Sequence, residues 1–471
     1  MEKGSNTRAA HSLYVSARSR PCTGVPLSER RVSHAQLLAY GVPVFGISYL
    51  LFFLQFYFLK FATDVLLLSP AIVGVLFALA KLWDGVNGPL IGSWSDRSRS
   101  RFGRRRPFLF AALPFLVVGF VMLWTMPHAL DGNALIAWIA VALFIFYTAF
   151  DLYTLPHAAL GAELSRDPHQ RTRLFAVRQM SFTVGMLLAF GAIQVAMNAE
   201  DPRSTTAALA IPAALVAVIV LAIPPLVLRE PIVNGERGGR GLLPALRDVV
   251  STRPARLLLF VFFIESAGVG AVGTMAPYIA QYLLERPDVV GLLPACYVIS
   301  AVVSIPIWVR LSKSFGKRDT WLASMALAAG AFGGMWFIGT GDVALTMLLL
   351  GVAGCAMGCG GVLSASILAD VIDLDEQRTG ERKEGVYSAA MTLVLKVGTS
   401  LATAASGVVM TATNFVPNVA QSEASLLGIR LLFAGLPFLG FVVGAILFRR
   451  FSLDDDDGTP SAVALTVPSA P

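Results

Sequence analysis

The sequence predicts an all-α, polytopic membrane protein: twelve transmembrane helices in two halves of six, with both termini cytoplasmic. Three observations carry that prediction. Of 471 residues, 55% are hydrophobic and only 14% charged, and the mean hydropathy is +0.68. Soluble domains carry charge on about a quarter of their residues, and a disordered chain needs low hydrophobicity. Apolar stretches recur along the chain, each near the roughly 20 residues that a bilayer core requires. Basic residues gather in every second connection between those stretches.

The first set of apolar segments covers about residues 36–59, 70–94, 107–126, 134–162, 175–197 and 206–228. The second covers about 256–283, 288–309, 320–339, 343–369, 385–411 and 425–448. In hydrocarbon every backbone N–H and C=O must pair within its own segment, so stretches of this length are read as helices. Arg97, Arg99, Arg101, Arg104, Arg105 and Arg106 follow the second span. Arg166, Arg171 and Arg173 follow the fourth, and Arg229, Arg237, Arg240, Arg247, Arg253 and Arg256 fill the central connection. Lys313, Lys317 and Arg318 follow the eighth, and Arg378, Arg382 and Lys383 the tenth. The alternate connections hold little beyond Lys60, Arg203 and Arg286. This asymmetry sets the cytoplasmic side.

The organisation that follows is a cytoplasmic tail over 1–34, a six-helix bundle over 35–228, a cytoplasmic loop over 229–255, a second bundle over 256–448 and a cytoplasmic tail over 449–471. The first tail is polar and lacks the apolar core of a secretory signal. The net charge of +7 is explained by loops facing a membrane, and no nucleic-acid partner is expected. Cys22, Cys296, Cys355 and Cys359 are too few and too scattered for a disulfide scaffold. Cys355 and Cys359 lack the further ligands of a metal site. Around them, Gly354 and Gly358 suit close helix packing. Asp454–Asp457 read as a solvated tail, since the calcium-loop pattern is absent.

The two halves share a short repeat. Ser100-Arg101-Phe102-Gly103-Arg104-Arg105 follows span two, and Lys313-Ser314-Phe315-Gly316-Lys317-Arg318 follows span eight. Equivalent placement in two sets of six spans points to internal duplication, a build in which substrate binds near the midplane between the halves.

Charges inside the spans are the site candidates, because a charge at the bilayer centre costs about 2.5–3.5 kcal/mol even on the lenient insertion scale. Lys81, Asp84 and Asn87 share one face of span two at i, i+3, i+6. Asp151 lies midway along span four. Asp84 and Asp151 could close on Na⁺, a hard cation that takes oxygen ligands, or share a proton. An ion pair of Lys81 with Asp84 or Asp151 that only orders the bundle is the plainer reading. Lys396, midway along span eleven, needs a partner from another helix: the carboxylates of the first half, or Glu265 of span seven. Arg178, near the start of span five, reads by depth as snorkelling to the interface. No phosphate-binding glycine loop and no nucleophile constellation is present, so neither an ATP-driven pump nor an enzyme is expected. No cofactor is expected, and no metal beyond Na⁺.

Three stretches resemble one family. They are Leu82-Trp83-Asp84-Gly85-Val86-Asn87-Gly88-Pro89 with Ser95-Asp96-Arg97 and Phe102-Gly103-Arg104-Arg105-Arg106-Pro107; Leu155-Pro156-His157 through Gly161-Ala162-Glu163-Leu164 with Arg171, Arg173 and Arg178; and Ala369-Asp370-Val371-Ile372-Asp373 with Thr379-Gly380-Glu381-Arg382-Lys383-Glu384-Gly385 and Lys396. Together they resemble the glycoside–pentoside–hexuronide:cation symporters, the melibiose permease group of the major facilitator superfamily. The resemblance implies the major facilitator fold and uptake of a sugar or glycoside coupled to H⁺ or Na⁺. It implies Asp84 and Asn87 as cation ligands, Arg178 and Lys396 in the central cavity, Lys396 bridging toward the cation, and Asp96, Arg97, Gly103, Arg104 and Arg105 as the cytoplasmic gate motif.

The chain also departs from the family pattern. The second cation-site aspartate would fall at Gly88, and Asp151 stands where the melibiose permease has a hydroxyl residue, so Asp151 is expected to supply the missing carboxylate. Ser48 and Thr154 occupy the places of two sugar-binding acids, leaving hydroxyls for a substrate. Eukaryotic relatives of the family move lysophospholipid, so an amphiphile carrier is the second expectation and a non-transporting sensor or assembly protein the third. Expected partners are the small solute and membrane lipid, in a bacterial-type inner membrane, with one chain as a complete monomeric unit.

Overall fold

The computed structural model describes residues 32–451 apart from 99, 101, 166, 229, 231–248, 250, 251 and 380–383. The two expected tails and the central loop therefore lie almost wholly outside the described residues. So do Cys22, Arg99, Arg101, Arg166, Arg229, Arg237, Arg240, Arg247, Arg382, Lys383 and the side chains of Asp96 and Arg378.

Twelve long helices are present among the described residues. In the first half they are α1 (His34–Asp64), α2 (Pro70–Arg97), α3 (Arg106–Trp124), α4 (Gly132–Glu163), α5 (Pro168–Met197) and α6 (Pro202–Val227). The second half has α7 (Arg253–Leu283), α8 (Leu292–Phe315), α9 (Lys317–Met335), α10 (Val343–Thr379), α11 (Glu384–Ala412) and α12 (Glu423–Phe448). Eleven are long and apolar enough to cross a membrane. The exception is α9, whose first turn is spent on Lys317, Arg318 and Asp319. Twelve apolar spans were expected, and the ninth falls short for that reason.

Local chemistry fixes the helix starts. Ser33 and Gln36 form a reciprocal capping box at α1. Pro168 and Pro202 open α5 and α6, where the side chains of Asp167 and Asp201 accept from the first free N–H groups. Because α5 starts at Pro168 rather than near residue 175, Arg178 lies ten residues into the helix, about 15 Å along its axis at the standard rise.

The halves meet chiefly along α2 and α11, with shorter contacts of α1 on α7 and α5 on α8. Within the second half α8 lies flat on α10. A Cβ at Gly354 would stand 2.1 Å from the carbonyl oxygen of Tyr297, and one at Gly358 2.3 Å from that of Ala301. Hydrocarbon offers no hydrophobic drive between helices, so such close backbone packing is a main source of association. In the first half Trp124 is buried among Phe53, Tyr57, Phe58 and Phe61.

The repeat seen in sequence corresponds to matching devices. Gly103 and Gly316 both adopt the left-handed region, at φ +108° and +80°, where glycine alone is unstrained. After Gly103, Arg104 and Arg105 pair with Glu163 at the end of α4. After Gly316, Lys317 pairs with Asp370 of α10. Each device ties the loop between the second and third helices of a half to its fourth helix. These loops define the basic end of the molecule; the opposite end is called the far end.

Candidate functional site

The side chains of α2 divide by face. Leu79, Leu82, Val86 and Leu90 are 45–59% exposed, while Lys81, Asp84 and Asn87 are 5–6% exposed. The apolar face suits lipid and the polar face is turned into the bundle, as expected for intramembrane charge. Asp151 of α4 is 2% exposed. The Nζ of Lys396, from α11 in the other half, lies 2.9 Å from Asp84 Oδ2, 3.1 Å from the Asp84 carbonyl oxygen, and 3.3 and 3.4 Å from the two oxygens of Asp151. One ammonium thus binds two carboxylates from two helices, across the plane between the halves.

Gly88 lies beside this cluster. A Cβ there would stand 3.5 Å from Asp151 Oδ2 and 3.9 Å from Lys396 Nζ, so the α4 carboxylate occupies the sector that a side chain at position 88 would enter. Beside it, Asp84 Oδ1, Asn87 Nδ2 and the hydroxyl of Tyr147 are buried without a hydrogen-bond partner among the described residues. Buried polar atoms are almost always paired, so these groups beside two carboxylates are candidates to meet a ligand. The oxygen donors gathered here, the carboxylates of Asp84 and Asp151 and the side-chain amide of Asn87, are of the kind that hard cations take.

Several expectations are corrected here. Lys81 is buried within electrostatic range of Asp84 and Lys396, but the ion pairs to Asp84 and Asp151 are made by Lys396. Glu265 does not pair with Lys396. It accepts a hydrogen bond from Trp321 Nε1 at 3.1 Å inside the second bundle, and the helix crossing carries Lys396 to the other half. Ser48 is fully buried; its hydroxyl donates to the Phe45 carbonyl oxygen at 3.0 Å and faces Gly185 of α5. Thr154 is half-buried with its hydroxyl on the Phe150 carbonyl oxygen. Arg178 is half-buried, near enough to Tyr40 and His157 to act on both electrostatically, and its Nε has no hydrogen-bond partner among the described residues.

Of the gate motif, Arg104 Nη2 and Arg105 Nη2 lie 2.6 and 2.8 Å from Glu163 Oε1, while Arg97 is exposed. The carboxylate of Glu230 accepts from the backbone N–H groups of Arg104, Arg105 and Arg106 at 2.6–2.8 Å. It caps the start of α3 and fills the space above Gly103, where a Cβ would meet it at 2.7 Å. Sequence reasoning missed Glu230, Tyr147, and the bond from Trp83 Nε1 to Thr148 Oγ1 at 2.9 Å that ties α2 to α4. The spacing of Tyr147 four residues before Asp151 is a signal that could have found it.

The family described as MFS/sugar transport protein matches residues 39–455. An uncharacterized symporter of Synechocystis is 26% identical, covering 90% of this chain and 95% of the relative. The isoprimeverose transporter of Lactiplantibacillus pentosus is 25% identical over 94% and 93%. A putative sulfoquinovose importer of Escherichia coli K12 is 26% identical over 88% and 89%. Among solved structures, a D-xylose–proton symporter aligns with a TM-score of 0.61 at 15% identity, covering 88% of this chain and 97% of that one. A nucleoside transporter aligns at 0.65 and 13%, covering 88% and 100%. At these identities the structures speak for the fold alone.

Proposed function

This chain belongs to the MFS/sugar transport protein family, and from that premise we propose that it couples movement of a sugar or glycoside to H⁺ or Na⁺ by alternating access. Membership itself makes it a multi-pass membrane transporter and not an enzyme. The relatives named for isoprimeverose and sulfoquinovose support a sugar cargo in a bacterial inner membrane. The basic end is read as cytoplasmic from the positive-inside pattern.

The observation that carries the coupling is the Asp84–Lys396–Asp151 cluster. With Lys81 beside it, two formal negative charges face two positive ones. A cation entering this set leaves an excess of positive charge unless Lys396 withdraws, because uncompensated charge in a low dielectric is expensive. Lys396 belongs to the second half and the carboxylates to the first. Cation loading is thereby converted into a change in the contact between halves, the element that alternating access requires. Asp84, Asn87 and Asp151 take the cation. Thr154, Arg178 and the released Lys396 meet the solute.

The test is transient current from proteoliposomes on a solid-supported membrane. Glycosides, pentoses, hexuronates and lysolipids are added with and without Na⁺ at two pH values. A sugar-evoked current that needs Na⁺, or that grows with proton concentration, is the expected result. Response to lysolipid with silence to every sugar assigns the amphiphile cargo instead.

A further inference from the structure

At the far end the two halves are joined by a second charged cluster. Lys60, in the last turns of α1, is 3% exposed. Its ammonium bonds Asp64 one turn on and lies 4.0 Å from the ring centroid of Tyr282 and 4.9 Å from that of Tyr278. Both tyrosines belong to α7, in the other half. The Tyr282 hydroxyl donates to the Asp64 carboxylate. Thr63 Oγ1 donates to the other oxygen of that carboxylate at 2.6 Å and lies 2.8 Å from the Tyr278 hydroxyl. Asn418, between α11 and α12, donates its side-chain amide to the Asp64 carbonyl oxygen at 2.7 Å and its backbone N–H to the Tyr282 hydroxyl at 3.0 Å.

We propose that Asp64 is the hub of a latch that holds the far end shut, and that opening that end requires Asp64 to part from Tyr282 and Asn418. The proposal rests on the alternating-access reading. A buried ion pair holds only if its remaining polar groups are satisfied. Here Lys60 and Thr63 come from the helix of Asp64 itself, whereas the tyrosine hydroxyl, the asparagine amide and the two aromatic faces over the ammonium come from the other half. Separating the halves removes those contacts together and leaves the Lys60–Asp64 pair intact.

Replacement solvent is close at hand. A pocket of about 370 Å³ between the halves is lined by Lys60, Asp64, Tyr57, Gln281 and Asn418, so water can take over the hydrogen bonds as the latch parts. Exchange of charge-assisted bonds for water is the kind of near balance that a two-state element needs. The Arg104 and Arg105 pairs with Glu163 and the Lys317–Asp370 pair at the basic end each stay within one half. They stiffen a half, and the Asp64 cluster binds one half to the other.

The test needs neither the transported solute nor the coupling ion. Spin labels are placed on Asn133→Cys and Ala344→Cys, exposed at the far-end starts of α4 and α10, and on Arg173→Cys and Ser314→Cys, exposed toward the basic end. The four native cysteines are replaced by serine. Distances within each pair are measured in nanodiscs for the parent, Asp64→Asn and Tyr282→Phe. Loss of one charge-assisted bond is expected to raise the open-to-closed ratio about tenfold or more. The far-end pair then lengthens and the basic-end pair shortens. Unchanged distributions in both variants overturn the latch. Lengthening at both ends also overturns it, because that is loosening of the fold and not a switch. Absence of any transport current, with the reciprocal shift present, counts against the cargo assignment and leaves the latch standing.

Discussion

The Asp151 carboxylate lies 3.5 Å from the point where Gly88 would carry a Cβ. A charge that one helix lacks is thus delivered by its neighbour into the same small volume. The contact distance is ordinary van der Waals spacing, so Gly88→Ala is expected to fold and to change stability by less than about 1 kcal/mol. Gly88→Asp places a third carboxylate against Asp84 and Asp151. Like charges in one site hold a proton or cation more tightly, so cation-induced thermal stabilisation should begin at lower Na⁺ or at higher pH than in the parent. Melting curves of the purified protein across Na⁺ and pH check both statements.

Lys396 acts as the resident cation of the cluster, and its removal has a specific signature. Lys396→Met leaves Asp84 and Asp151 without their compensating charge; breaking a buried pair by removing one partner costs about 3–5 kcal/mol. The expected result is a lower melting temperature that added Na⁺ or acid largely restores. In the parent the same additions act weakly, because Lys396 competes for the site. Equal responses to Na⁺ in parent and variant contradict this role.

The fold was more legible than the site, for physical reasons that individual residues show. Spanning helices announce themselves by length and hydropathy, because lipid permits no other backbone solution. Segment α9 was the weakest of them, since Lys317, Arg318 and Asp319 belong to its helix and not to the preceding loop. At the start of α5, Pro168 to Arg173 is polar and reads as a connection, although it is helical. Asp84, Asp151 and Lys396 stood out because charge inside a span is expensive. Which of them touch was not legible: Lys396 could reach Glu265 or the first half, and only the crossing of α2 and α11 decides. Glu230 carried no signal either, since a glutamate that opens a basic linker looks like any solvated charge.

Close packing of α8 on α10 is testable without transport. Gly354→Val sets a side chain where the Tyr297 carbonyl oxygen would stand 2.1 Å from its Cβ. Overpacking of this kind costs about 1–3 kcal/mol or more, and a melting temperature several degrees lower is expected. At Gly361 no heavy atom lies within 4 Å of an added Cβ, so Gly361→Ala is expected to be neutral or to gain up to about 1 kcal/mol in helix propensity. Equal melting shifts for the two variants refute the packing account.

On the proposed coupling, Asp151 supplies a carboxylate to the cation. Its most direct test is the cation dependence of transport in Asp151→Ala, compared with Asp151→Ala carrying Gly88→Asp, in proteoliposomes with whichever sugar drives current in the parent. Asp151→Ala is expected to lose most of the Na⁺ or proton dependence, and adding Gly88→Asp to restore a substantial part of it. Unchanged cation coupling in Asp151→Ala removes Asp151 from the site and leaves Asp84 and Asn87 to carry the cation without help from α4.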